Sequence, residues 1–143
     1  MSRTPHLHPG LIVLVALGGA VGTLARWALT ENLPSRGGWP VATLVENLVG
    51  AFLLGLLLEA LVRSGDETPG RRMLRLGLGT GVLGGFTTFS AFALEVERLL
   101  ATGAGGVAIG YFAASLVGGF VTCLAGVILA SRHHRWRLGR DYR

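Results

Sequence analysis

Gly77-Leu78-Gly79-Thr80-Gly81-Val82-Leu83-Gly84-Gly85-Phe86-Thr87-Thr88-Phe89-Ser90-Ala91-Phe92 is the stretch on which the architecture turns. It lies in a run without charge, residues 76–94, and a helix needs roughly 20 mostly apolar residues to cross about 30 Å of hydrocarbon. Yet the stretch is rich in glycine, which weakens a helix by about 1 kcal/mol per residue relative to alanine. Thr87, Thr88 and Ser90 follow at once, and their hydroxyls can satisfy backbone groups that an interruption would free. A discontinuity is therefore expected near Gly84 to Ser90. Irregular backbone at membrane depth is tolerated only where it is buried in protein or lines a cavity. Carbonyls released there can bind a small cation.

Outward from this point, the whole chain has the composition of a membrane protein. Half of its 143 residues are apolar, only 15% are charged, and the mean hydropathy is +0.55; a soluble domain carries about 25% charged residues. Four stretches are long and apolar enough to span, at 11–30, 40–62, 73–99 and 104–130. They form a single all-α membrane domain over residues 1–143, ending in a basic tail at 131–143. The connections at 34–38 and 64–70 read as turns and leave no room for a catalytic domain outside the bilayer. Cys123 is the only cysteine, so no internal disulfide framework exists. His6, His8, His133 and His134 lie in the tails without metal spacing, and no enzyme is expected.

Every basic residue is an arginine, and their placement is sided. With four spans, Arg3, Arg63, Arg71, Arg72, Arg75, Arg132, Arg135, Arg137, Arg140 and Arg143 share one side, against Arg26, Arg36 and Arg98 on the other. This bias predicts both termini in the cytoplasm. Scattered between apolar runs, the arginines suggest anchors at a membrane surface rather than a nucleic-acid face. The tail also resembles polybasic segments that attract anionic headgroups.

Small residues four apart favour close helix contact in a membrane. The fourth span carries such a ladder at Gly106, Gly110, Ala114, Gly118, Thr122 and Gly126, and the first carries Gly18 and Gly22. A ladder this long suggests contact with a second subunit as well as packing inside one bundle.

Polar residues at membrane depth are functional hypotheses by default. Arg26 either snorkels to the interface or serves the site. Asn47 offers an uncharged amide donor or an interhelical hydrogen bond. Three environments suit Glu46: buried and neutral, paired with Arg26, or solvated near the interface. Phe86, Phe89 and Phe92 recur every three residues, a spacing that ordinary packing also produces; an aromatic edge, which is electropositive, suits a desolvated anion, and a ring face suits a cation. Tyr111 and Ser115, with Thr122 further along, add hydroxyls that donate to an anion or back-bond to their own helix.

Three motifs together resemble those of the Fluc (CrcB-type) fluoride channel family over nearly the whole chain. They are Gly18-Gly19-Ala20-Val21-Gly22-Thr23-Leu24-Ala25-Arg26-Trp27, Thr43-Leu44-Val45-Glu46-Asn47-Leu48-Val49-Gly50-Ala51-Phe52-Leu53-Leu54-Gly55, and Gly84-Gly85-Phe86-Thr87-Thr88-Phe89-Ser90-Ala91-Phe92. The resemblance implies an antiparallel, dual-topology dimer in the cell (plasma) membrane, with two narrow fluoride pores along the subunit interface. It implies a fluoride pathway through Asn47, Phe89, Phe92, Thr88 and Ser90, with Tyr111 and Ser115 as a hydroxyl track. It also implies a structural Na⁺ held between subunits by the carbonyls of Gly84 and Thr87, and Arg26 at a vestibule or supporting helix packing. The implied function is passive export: HF enters from acidic surroundings, dissociates in the cytoplasm, and fluoride leaves down its gradient. No Walker motif is present for ATP.

Two features depart from that pattern. Glu46 occupies a position where the family usually has an apolar residue, and the arginine bias suits a chain inserted mainly one way. The second feature points to a heterodimer with an oppositely oriented paralogue as the alternative to a homodimer. Two rival readings remain: a proton-coupled small multidrug-type transporter using Glu46, and a non-conducting partner subunit of a heterodimeric channel.

Overall fold

The computed structural model describes residues 8–35 and 37–141 and is all-helical. Arg3, His6, Arg36 and Arg143, on which part of the charge argument rests, lie outside the described residues, as do the side chains of residues 134–141. Helix α1 (Pro9–Asn32) begins with proline in its first turn, where a missing N–H costs nothing. It is followed by α2 (Val41–Arg63), α3 (Pro69–Leu74), a π-helical stretch (Arg75–Leu83), the single turn α4 (Gly84–Phe86), α5 (Phe89–Ala101) and α6 (Gly105–Asp141). Four stretches are long and apolar enough to cross a membrane: Pro9–Asn32, Val41–Arg63, Pro69–Ala101 and Gly105–His133. The helix of the fourth continues into the basic C-terminal region.

The third stretch is a composite. Thr68 caps α3, its hydroxyl accepting from Arg71 N–H at 3.3 Å. The helix then widens into the π-helical stretch, where glycines occupy alternate positions at 77, 79 and 81. After α4, Thr87 (φ −81°, ψ 154°) and Thr88 (φ −146°, ψ 120°) are extended, and α5 starts at Phe89.

Glycine on this stretch allows backbone-to-backbone contact with α1. A Cβ on Gly18 would lie 2.6 Å from the Gly77 carbonyl, and one on Gly81 would lie 3.0 Å from the Val15 carbonyl. Gly22 and Gly85 are closer still to the carbonyls of Val82 and Gly19. Helices α2 and α6 pack in the same manner, with Gly55 against the Cys123 carbonyl and Gly126 against the Phe52 carbonyl. A Cβ on Gly118 would stand 2.8 Å from Leu48 Cδ2. Gly118 and Gly126 of the fourth-span ladder are therefore used inside the protomer, where α2 and α6 approach closely, while nothing lies within 4 Å of a Cβ at Gly106. Ser131 fastens the far end of this pair, donating to Glu59 Oε1 at 2.7 Å, and Arg63 donates to the same oxygen.

So thin a bundle has little interior. Tyr111 and Glu46 are the largest fully buried side chains, while Leu17, Leu24, Trp27, Val117 and Phe120 face outward from α1 and α6. Such surfaces suit lipid tails or another apolar helix, not water.

Candidate functional site

The extended pair Thr87–Thr88 lies against α2, and α2 is shaped to receive it. Thr43, Asn47 and Gly50 are spaced to share one face of that helix. A Cβ at Gly50 would overlap the methyl group of Thr87, so glycine opens the space the threonine fills. Three residues earlier, Asn47 holds both backbone groups of Thr88. Its Nδ2 donates to the Thr88 carbonyl at 3.0 Å, and Thr88 N–H donates to its Oδ1 at 2.8 Å. A primary amide has two N–H donors, so one remains beyond this exchange.

The hydroxyls order the rest of the turn. Leu83 carbonyl accepts from both the N–H and the hydroxyl of Thr87, each at 2.9 Å. Thr88 Oγ1 accepts from Ala91 N–H at 3.2 Å, capping α5, and lies 3.3 Å from Ser90 Oγ. Either hydroxyl can donate to the other, and Ser90 is exposed. In a continuous helix, Thr88 N–H would be directed at the Gly84 carbonyl and Ala91 N–H at the Thr87 carbonyl. Both amides are engaged elsewhere, by Asn47 and by the Thr88 hydroxyl. Gly84 faces outward, with nothing nearer to a hypothetical Cβ than the Gly79 carbonyl at 3.9 Å.

Phe89 and Phe92 stand on the first turn of α5 with ring centroids 6.0 Å apart. Their environments are opposite: Phe89 is 79% exposed and Phe92 only 6%. Phe92 packs at 5.3 Å from Tyr111 and 5.8 Å from Phe112. The buried Tyr111 donates its hydroxyl to Glu95 Oε2 at 2.7 Å, and Thr43 donates to Glu95 Oε1 at 2.7 Å. Each oxygen of this half-buried carboxyl thus accepts a hydroxyl. The Tyr111 proton is committed to Glu95 and not to open space. One turn along α6, Ser115 Oγ is buried without a hydrogen-bond partner among the described residues, whereas Thr122 back-bonds to the Gly118 carbonyl at 2.9 Å.

Arg26 and Glu46 do not pair with each other. Arg26 Nε donates to the Gly85 carbonyl at 3.3 Å, which ties the side chain to α4. Glu46 is 1% exposed, and Oε1 accepts from the Thr30 hydroxyl at 2.8 Å. Of its three possible environments, burial is the one observed.

Asn47, Thr88, Ser90, Phe89, Phe92 and Tyr111 are therefore brought together around one interruption, with Ser115 one turn away. Sequence reasoning missed Thr43 and Glu95. Their signal is spacing: Thr43 is four residues before Asn47 and Glu95 three after Phe92, each on the face its neighbour already marks.

Comparison with known proteins gives a consistent result. Residues 13–127 match the family model described as CrcB-like protein, Camphor Resistance (CrcB). The chain is 45% identical over 126 residues to a fluoride-specific ion channel FluC 2 of Leifsonia xyli subsp. xyli, covering 88% of this chain and 87% of that one. It is 40% identical over 139 residues to a fluoride-specific ion channel FluC 2 of Nocardia farcinica, covering 96% and 94%. A fluoride-specific ion channel FluC of Deinococcus radiodurans is 46% identical over 121 residues, covering 82% and 93%.

Proposed function

The chain belongs to the CrcB-like family, and from that membership we propose that it is a fluoride-selective channel, not an enzyme, through which cytoplasmic fluoride leaves passively. It is a multi-pass membrane protein. The reading is carried by one observation: neutral donors and phenylalanine rings are collected at a single interrupted point at membrane depth. Fluoride is small and strongly hydrated, so a route for it must replace water with several donors. A fixed positive charge in the narrow part would hold the ion instead of passing it. Asn47, Thr88, Ser90, Phe89 and Phe92 meet that requirement with no formal charge, Ser115 extends the route along α6 with an unengaged hydroxyl, and Tyr111 lines it with its own hydroxyl given to Glu95. Arg26, a cation beside this point, donates to the Gly85 carbonyl.

The assembly we propose is an antiparallel dimer in the cell membrane. Phe89, Ser90 and Gly84 face outward from the protomer, so one chain does not enclose the route and a second must close it. The carbonyls of Gly84 and Thr87, from both subunits, would hold a structural Na⁺, and their diverted amides fit that use. The cation would supply positive charge that fastens the two interruptions together. The arginine bias favours both termini in the cytoplasm for the dominant orientation, and it favours an oppositely oriented paralogue over a second copy as partner.

Fluoride efflux from liposomes containing this chain alone, without a pH gradient, tests the proposal. Efflux supports a channel that conducts as a homodimer. Efflux only after co-reconstitution with a paralogue supports the heterodimer, in which this chain alone is non-conducting. A strict requirement for a proton gradient would overturn the channel in favour of a transporter.

A further inference from the structure

The connection between α1 and α2 carries a side chain that neither the pathway nor the packing has so far used. Gly37 (φ +58°) and Gly38 (φ +80°) both adopt left-handed backbone, which glycine reaches without strain. The consecutive turn folds the chain back so that Trp39 lies over α6. There its six-membered ring rests on bare backbone: a Cβ at Gly110 would be 3.4 Å from Cζ2 and 3.5 Å from Cη2. The indole meets Tyr111 edge to face, with centroids 6.3 Å apart and planes at 86°.

Tyr111 is consequently held on two sides and at its tip. Trp39 bounds it toward the α1–α2 connection, Phe92 bounds it toward α5, and Glu95 fixes its hydroxyl. An unbroken series of rings, Trp39–Tyr111–Phe92–Phe89, runs from the connection to the exposed phenylalanine. Tyr111 has no exposed surface at all, although it sits only six residues from the start of α6. Trp39 is the residue of the connection in ring contact with it.

We propose that Trp39 is a positioning residue of the permeation route, acting through Tyr111 and Phe92 to fix its width and to keep water from the Thr43–Glu95–Tyr111 cluster. The inference rests on the fluoride-channel reading. Without the indole, Tyr111 loses the ring that bounds it toward the α1–α2 connection, Phe92 relaxes with it, and the passage widens. A wider passage discriminates less well against an anion larger than fluoride, because selectivity falls as pore diameter and donor placement loosen.

Fluoride and chloride efflux from liposomes of the full chain, with its paralogue if needed for conduction, would test this for Trp39→Ala, Trp39→Phe and Gly110→Val. Trp39→Ala is expected to raise the chloride-to-fluoride ratio by about tenfold, the effect of losing one well-formed aromatic pair. Trp39→Phe should restore most of the wild-type ratio. Gly110→Val, whose methyl groups extend past a Cβ already touching the indole, should displace Trp39 and reproduce the Ala phenotype without altering it. It also serves if Trp39→Ala does not fold. An unchanged ratio in both Trp39→Ala and Gly110→Val, in protein that conducts fluoride, would overturn the role of Trp39. Wild-type protein that conducts no fluoride would instead overturn the channel reading on which that role depends.

Discussion

Asn47 and Thr88, 41 residues apart, hold each other by two hydrogen bonds of 3.0 and 2.8 Å in opposite directions. One side chain thereby engages both backbone groups of a residue that has left the helix. Asn47→Ala removes both at once, and each backbone group left unpaired costs about 1–3 kcal/mol. The variant should melt at lower temperature in detergent and lose at least about tenfold in fluoride efflux. Asn47→Asp retains an acceptor for Thr88 N–H but loses the donor and adds negative charge. It should melt closer to wild type while conducting as poorly, and comparing the two separates the fastening from the passage of the ion.

The two phenylalanines differ in exposure, and so should their variants. Phe92 contacts three other rings and is 6% exposed, so Phe92→Ala should cost about 3–5 kcal/mol and abolish efflux. Phe89 is 79% exposed. Phe89→Ala should scarcely change the melting of the dissociated chain yet still abolish efflux. Thermal unfolding alongside liposome flux checks both.

Glycines of the α6 ladder are not equivalent. Gly126 faces the Phe52 carbonyl, whereas nothing lies within 4 Å of a Cβ at Gly106. Gly126→Ala should destabilise by about 1–3 kcal/mol through overpacking. Gly106→Ala should be neutral or stabilise by up to about 1 kcal/mol through helix propensity. Melting curves of the two variants in the same detergent test the contrast.

Glu46 is the residue on which a transporter would depend. Glu46→Gln keeps an oxygen to accept from Thr30, whose hydroxyl also reaches the Arg26 carbonyl at 3.1 Å. Efflux without a pH gradient should stay within about twofold of wild type, equivalent to less than about 0.5 kcal/mol. A dead variant would restore the proton-coupled alternative.

The four spans were legible because hydropathy and length are local properties. Helix packing was legible only halfway: the glycines of α6 announce close approach, but spacing alone does not name the neighbour, which proved to be α2. Asn47 stood out as a polar residue at depth, yet its partner is a main-chain group that no composition marks. Glu95 illustrates the limit. In the sequence it only bounds the uncharged run 76–94, while its meaning lies in Thr43 and Tyr111, 52 and 16 residues away. Such clusters exist only once helices have been set side by side.

The π-helical stretch Arg75–Leu83 has a consequence for inheritance. An α-helix turns about 100° per residue, and a wider turn absorbs the rotation of an additional one. Deleting a single residue between 75 and 83 would let the segment rewind into an ordinary helix of comparable intrinsic stability. By the same account it would leave everything downstream, including Phe86, close to its present phase about the axis. The segment can thus lose one residue with less effect than a side chain added at Gly81, whose Cβ would lie 3.0 Å from the Val15 carbonyl.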